Sequence, residues 1–343
     1  MRPIAEAYKD FPILHKEHNG HRVIYLDSGA TAQIPQSVID RVVEHMTQRN
    51  GNPHRGSHIL AIEASEDYEN ARDRVVEFIN AREREEVIFT RNSTESMNLI
   101  AHSYGLHNVK KGDKIVITVA EHHANLVTWQ YVAEQTGATL EYMYLDEHGH
   151  LKDGEINKID EKTKIVAFAH VSNVLGMEFP VKELTEKAHS VGAIVVLDGA
   201  QSTPHKKIDV QALDCDFFVF SGHKMCASQG IGVLYGKRDL LETMPPFLLG
   251  GDMIEYVKEQ TATFNELPYK FEAGTPNADG AVSLHAAIDY LESFGMDAIE
   301  AYEEELVAYI LPKIVELPHV HVIGSQNPKE KHGVKIGRAS CRE

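Results

Sequence analysis

The sequence predicts an α/β fold: a mostly parallel sheet with helices on both faces, followed by a smaller α+β domain. Three observations predict it. Short β-rich runs alternate with amphipathic helical stretches through most of the chain. Most of those runs are continuously apolar, as strands covered on both faces are. After Leu284 the alternation stops and two long helical patterns follow.

The strands are expected at Val23–Asp27, Glu86–Thr90, Lys114–Thr118, Leu140–Leu145, Lys164–Ser172, Ala193–Ala200 and Phe217–Gly222. Between the first two, "SEDYENARDRVVEFIN" places Tyr68, Ala71, Val75, Phe78 and Ile79 on one helical face, with Ser65 as its N-cap. "NLVTWQYVAEQTG" and "VKELTEKAHSVG" end in Gly137 and Gly192, where a helix C-terminus favours glycine. The last pattern reads as a helix, a turn at Gly295 and a second long helix. The expected division is an N-terminal segment over 1–20, a large ligand-binding domain over 21–283 and the start of a small domain over 284–335.

Composition narrows the function classes. With 343 residues, 43% hydrophobic and 25% charged, the chain is an ordinary globular one. Its 51 acidic against 34 basic residues leave a net charge of −17. Nucleic acids and anionic membranes are polyanions, so neither is expected as a partner. The three cysteines, Cys215, Cys226 and Cys341, have no metal-like spacing and fit a reducing compartment. "MRPIAEAYKDFPIL" lacks an apolar signal core, and no run approaches the ~18 apolar residues of a membrane span. A cytoplasmic protein is expected.

Ligands of parallel α/β sheets sit at the carboxyl ends of the strands, and that is where the polar residues gather. Ser93 and Thr94 follow the second strand at a helix start, either a plain cap or a seat for phosphate. His122 and His123 follow the third, as surface histidines or as a ring to stack on a flat ligand. Asn173 follows "KIVAFAHVS", in an Asx-turn or against a ring substituent. Asp198 ends a strongly apolar strand, a costly place for a carboxylate without a cationic partner, and Gln201 comes three residues later. Ser221, His223 and Lys224 end the last strand, with Ser221 and His223 placed to bond a phosphate. Taken together they describe a flat, phosphorylated ligand with a protonatable ring nitrogen and an aldehyde. Pyridoxal 5'-phosphate has all of these: a lysine of lowered pKa joins the aldehyde, and an aspartate keeps the ring nitrogen protonated.

The segments "YLDSGATAQIP", "NPHRGSHILA", "RNSTESMNLIA", "EHHANLVTWQ", "HVSNVLGMEFP", "VLDGAQS", "ALDCDFFVFSGHK", "GIGVLY" and "KFEAGTPNADG" resemble a SUF-system cysteine desulfurase, from about Phe11 to Val334. The resemblance implies a class V aminotransferase enzyme of pyridoxal-phosphate fold type I. It implies that Lys224 is the lysine joined to the cofactor, Asp198 the partner of the ring nitrogen and His122 the stacked residue. It puts Asn173 and Gln201 near the ring oxygen, and Ser93, Thr94, Ser221 and His223 at the phosphate. Thr275 matches a phosphate contact given across a homodimer, and His54 and Arg55 match a substrate segment near the subunit boundary. The implied reaction turns L-cysteine, or selenocysteine, into L-alanine and leaves a persulfide for a sulfur-acceptor protein in iron–sulfur cluster assembly.

Two features depart from the family. Met225-Cys226-Ala227-Ser228 stands where relatives have a Gly-Pro turn, so an altered or loosened lysine loop is expected, with Cys226 a passive buried thiol. The family's persulfide cysteine, in an R-x-G-H-H-C loop, has no counterpart: Cys341 in "KIGRASCRE" lacks its context. Residues 336–343 read as an artefact tail on a C-terminally truncated chain. Such a chain is expected to bind cofactor, make little persulfide and expose apolar helix faces around Leu284–Leu317. The competing readings are another class V lyase, aminotransferase or epimerase, and a non-catalytic paralogue. A nucleotide-binding protein is disfavoured, because no phosphate-loop motif follows an early strand.

Overall fold

The computed structural model describes residues 3–332. Cys341 and the expected tail over 336–343 lie outside the described residues.

Two 3-10 turns, Ile4–Asp10 and Pro12–His15, lead into a short hairpin of β1 (Glu17–His18) and β2 (His21–Arg22). The strand expected at Val23–Asp27 does not form. That run finds no sheet neighbour among the described residues, and Ile24 and Leu26 are left 80% and 89% exposed. Helix α1 (Gln36–Gln48) starts after Pro35, whose fixed φ suits a helix entrance.

Helix α2 (Ile59–Phe78) begins six residues before the expected cap. His58 caps it, its Nδ1 accepting the Ala61 N–H at 3.3 Å. "ILAIEA" is itself compatible with helix, so the helix runs back through it. Ser65 sits inside the helix instead, donating to Ala61 O at 2.7 Å and accepting the His54 N–H at 2.8 Å. Tyr68, Ala71, Val75, Phe78 and Ile79 are buried, as the periodicity predicts.

The rest of the chain builds a seven-stranded sheet. Strand β3 (Val87–Thr90) feeds a helix made of α3 (Ser93–Leu99), a π-helical turn over Ile100–Gly105 and α4 (Leu106–Asn108). Then come β4 (Lys114–Thr118), α5 (Val127–Thr136), β5 (Thr139–Met143), β6 (Thr163–Ala169), α6 (Val181–Ser190), β7 (Ile194–Asp198), α7 (Val210–Leu213) and β8 (Phe217–Ser221). Strand β9 (Gly232–Gly236) precedes α8 (Arg238–Thr243) and an exposed hairpin of β10 (Ile254–Val257) and β11 (Ala262–Phe264). The spatial order is β3-β9-β8-β7-β6-β4-β5. Only β9 runs antiparallel to its neighbours.

The continuous apolar runs split residue by residue between the two faces. Val195, Leu197, Phe218 and Phe220 join one core with α2, α6 and α9 (Ala278–Phe294). Ile194, Val196, Phe217 and Val219 join the other with α3 and α5. Each fully buried side chain of this kind contributes about 1.5–3 kcal/mol, so the strands cannot slip by one residue without exchanging both cores.

Helix α9 runs unbroken through Leu284, which is 0% exposed in the main core. A boundary at 283/284 therefore falls inside this helix. Gly295, at φ 89°, turns the chain into α10 (Met296–Val315). Of α10 only Met296, Val307 and Leu311 are buried, and Leu306, Tyr309 and Ile310 are exposed. The exposed apolar surface thus lies on α10, not on α9.

Candidate active site at the carboxyl ends of the strands

Strands β3, β4, β6, β7 and β8 all point the same way, so their carboxyl ends meet along one edge. Close backbone approach makes this edge compact. A Cβ on Gly199 would lie 2.0 Å from the Phe218 ring, and one on Gly232 would lie 2.5 Å from Asn92 Cα. Only glycine lets the turn after β7 and the entrance of α3 pack this closely.

Asp198 is the last residue of β7 and 5% exposed; its Oδ1 accepts the Ala200 N–H at 3.0 Å. Burial raises its pKa, and the charges of Lys224 and His122 pull it back. Lys224 sits in the 3-10 turn directly after β8, the strand beside β7. Desolvation lowers the pKa of its amine, and Asp198 opposes that shift. Among the described residues its Nζ has no hydrogen-bond or ion-pair partner. The turn is closed by Met225 N–H to Gly222 O at 2.9 Å and Ala227 N–H to Gly222 O at 3.1 Å. Backbone bonds thus close the turn without a Gly-Pro pair. Ala227 is buried with an ordinary backbone, and Cys226 takes the left-handed conformation at φ 68°.

Ser221 links this turn to the helix after β3. Its Oγ accepts the Ser93 N–H at 2.8 Å and donates to Ser93 Oγ at 2.9 Å. Asn92, which sequence reasoning did not single out, is the actual N-cap of α3, accepting the Glu95 N–H at 3.0 Å. Thr94 follows in the first turn, exposed, with an unbonded hydroxyl. His223 bonds Thr31 through Nδ1 at 3.0 Å, and its carbonyl accepts the Ala32 N–H at 2.9 Å. Gln201 Nε2 donates to Gly29 O at 2.9 Å. The loop over 29–32 is thereby drawn onto the strand ends.

His122 caps the short turn after β4, its Nδ1 accepting the Ala124 N–H at 3.1 Å. The neutral ring then carries its proton on Nε2. Desolvation lowers its pKa, with Lys224 adding to the shift and Asp198 opposing it. Asn173 lies just past β6, and its Oδ1 is buried without a partner.

The remaining expected residues do not join this cluster within the chain. His54 Nε2 bonds Glu69 at 3.1 Å, and Arg55 pairs with Asp252. Thr275 is exposed, and among the described residues its side chain has no hydrogen-bond partner.

A buried carboxylate, a desolvated and unbonded amine, an orphaned amide oxygen and a helix entrance with a free hydroxyl fit pyridoxal phosphate. They match its ring nitrogen, aldehyde, ring oxygen and phosphate in turn.

Comparison with known proteins agrees. The aminotransferase class-V family matches residues 24–337. A protein described as "Probable cysteine desulfurase" from Halalkalibacterium halodurans is 52% identical over 322 residues, covering 94% of this chain and 79% of that one. The apo structure of a cysteine desulfurase from Thermococcus onnurineus superposes with a TM-score of 0.90 at 39% identity, over 97% of this chain and 81% of that one. The cysteine desulfurase CsdA of Escherichia coli gives 0.84 at 37% identity, over 93% and 79%. The chain belongs to the aminotransferase class-V family, in its cysteine desulfurase branch, and its cofactor is pyridoxal phosphate.

Proposed function

We propose that the protein is a cysteine desulfurase, taking sulfur from L-cysteine or selenium from selenocysteine and releasing L-alanine. The observation that carries this reading is the desolvated Lys224 amine held beside the buried Asp198 carboxylate. When bound, the cofactor supplies an electron sink next to the substrate's amine. Lys224 would be the residue that holds the aldehyde end of the cofactor, and its amine would move the proton at the substrate Cα. Its lowered pKa keeps a fraction of the amine neutral and able to do so. Asp198 would keep the proton on the ring nitrogen, a buried cation for its buried carboxylate. His122 would cover the ring, and Asn173 and Gln201 would bond the ring oxygen. Ser93, Thr94, Ser221 and His223 would hold the phosphate.

A homodimer completes the site in this reading. Ile24, Leu26, Ile59 and Leu249 are each at least 64% exposed, which is apolar surface that a second copy would cover. Thr275 would then reach the phosphate of the second copy's site, and His54 and Arg55 would face substrate at the boundary. Neither described cysteine suits the role of sulfur acceptor. Burial pushes the Cys226 thiol up to about 12 and the Cys215 thiol higher still. A thiolate other than these two would attack the substrate sulfur and take it as a persulfide. The Cβ–S electron pair stays with the three-carbon product and is protonated to L-alanine. The sulfur would then go on to an acceptor protein for iron–sulfur assembly. Among the described residues no helix is long and apolar enough to cross a membrane. The free thiols of Cys215 and Cys226 support a reducing, cytoplasmic setting.

The test is amino-acid titration of the protein loaded with pyridoxal phosphate, followed by its visible absorbance. L-Cysteine is expected to shift the band saturably, and Lys224→Ala to abolish the response. A band that ignores L-cysteine but responds to another amino acid would assign the chain to a different class V lyase, aminotransferase or epimerase.

A further inference from the structure

One segment outside the strand-end cluster reaches back to it. After α10 the stretch "GSQNPKEKH", residues 324–332, makes a 3-10 turn over Pro328–Glu330 and then meets the loop that follows β6. That loop, 172–177, carries Asn173 and is closed from within. The Ser172 N–H donates to Met177 O at 2.9 Å, and the Gly176 N–H donates to Ser172 O at 2.9 Å. Ser172 Oγ accepts the Val174 and Leu175 N–H groups at 3.3 and 3.2 Å. These bonds use the amides of the loop and leave the Leu175 and Gly176 carbonyls without a partner inside it. Residues 331 and 332 supply the donors. Lys331 Nζ donates to Leu175 O at 2.7 Å, and the His332 N–H donates to Gly176 O at 2.7 Å. The His332 ring adds a contact, with Nε2 3.4 Å from Glu178 Oε2.

We propose that Lys331 is a positioning residue for Asn173: its buried ammonium, with the His332 amide beside it, fixes the loop that presents the Asn173 amide to the cofactor ring. Lys331 is 7% exposed, and a lysine is seldom buried to that degree unless its ammonium is bonded. Nζ also donates to Ile323 O at 3.0 Å, so one ammonium joins the loop to the turn at 323–324. Gly324 makes room for it. Its φ is 80°, and a Cβ there would lie 3.2 Å from Nζ and 3.4 Å from Leu175 Cδ2. A charged donor also holds a carbonyl more firmly than a neutral one. Asn173 Oδ1 is buried with no partner among the described residues. With no bond of its own to hold it, that oxygen takes its aim from the backbone, and Lys331 pins the backbone two residues further on. The alternative is that Lys331 only fastens the 323–332 segment. That would change stability and leave the ring untouched.

This inference rests on the reading that Asn173 meets the cofactor ring, and the experiment separates the two. The visible band of the protein loaded with pyridoxal phosphate reports the groups that bond the ring. It is compared for wild type, Asn173→Ala, Lys331→Met, Lys331→Arg and the double variant of Asn173→Ala with Lys331→Met. Methionine keeps an unbranched stem and loses the donors, whereas arginine keeps donors. Asn173→Ala and Lys331→Met should displace the band in the same direction, and Lys331→Arg should return it toward wild type. The double variant should match Asn173→Ala alone, because one residue acts through the other. The second measurement needs neither cofactor nor variant. In native-state hydrogen exchange of the unloaded protein, the Gly176 and His332 amides should open together, with the same dependence on urea. A Lys331→Met band at the wild-type position, additive shifts in the double variant, or a His332 amide that opens while Gly176 stays protected overturns the role of Lys331 alone. An Asn173→Ala band at the wild-type position overturns the place of Asn173 at the ring, and this inference with it.

Discussion

Asp198 and Lys224 close adjacent strands, and each shifts the other's ionisation: the carboxylate favours the ammonium, the ammonium favours the carboxylate, and burial works against both. The pair is poised rather than satisfied. Asp198→Asn removes the charge that would hold a ring proton while keeping the Ala200 hydrogen bond. Truncating one partner of a buried charge pair costs about 2–5 kcal/mol. The visible band of the protein loaded with pyridoxal phosphate should therefore be displaced in Asp198→Asn and its response to L-cysteine weakened by about tenfold or more in concentration, with the fold unchanged by circular dichroism.

Cys226 carries the backbone burden of the lysine turn. At φ 68° a side chain is disfavoured by roughly 1–2 kcal/mol relative to glycine. Cys226→Gly regains that strain but gives up a buried thiol, so its denaturant midpoint should lie within about 1 kcal/mol of wild type. Cys226→Val places a β-branched residue in the same conformation and should lose about 2 kcal/mol or more.

Much of this site was legible in the sequence because each strand ended in a residue that an apolar run does not explain. Asp198, Lys224 and Asn173 are such residues, and all three lie along one edge. Continuous apolarity likewise marked the parallel strands, since Ile194 to Leu197 feed two cores alternately. The misses have a common cause. Val23–Asp27 has strand composition but no neighbour to pair with, and pairing is not written in a single run. Strand β9 begins and ends in glycine, which weakens a strand pattern, yet Gly232 is what lets Asn92 approach. Ser65 looked like a cap because nothing in "ILAIEA" announces where a helix begins.

Glu272 anchors the segment that leads to Thr275. It accepts Arg72 Nη1 at 2.7 Å, Arg72 Nη2 at 2.8 Å, the Tyr68 hydroxyl at 2.8 Å and the Phe89 N–H at 2.7 Å. Arg72 is 0% exposed, so losing Glu272 leaves its buried charge with Glu69, 3.1 Å from Nε, as its carboxylate partner. Glu272→Ala should destabilise the protein by about 3–5 kcal/mol in urea unfolding. Replacing both residues with apolar ones should cost less than the sum of the single changes.

Glu69 ties the stability of the protein to acid pH. Burial opposes its ionisation, yet the His54 hydrogen bond and the Arg72 guanidinium bring its pKa down to about 2. A depressed carboxylate adds stability above the ordinary 4.5, and that contribution is lost as pH falls toward 2. Glu69→Gln should lower stability at neutral pH by on the order of 2 kcal/mol and flatten the acid limb of the stability profile.

The central claim is that Lys224 and Asp198 face one bound cofactor. The most direct measurement is the visible spectrum of the purified protein after loading with pyridoxal phosphate and removal of the excess, for wild type, Lys224→Ala and Asp198→Asn. A retained band in wild type, its loss in Lys224→Ala and a displaced band in Asp198→Asn are expected. A wild type that keeps no colour, or a Lys224→Ala protein whose band matches wild type after borohydride treatment, would contradict the account.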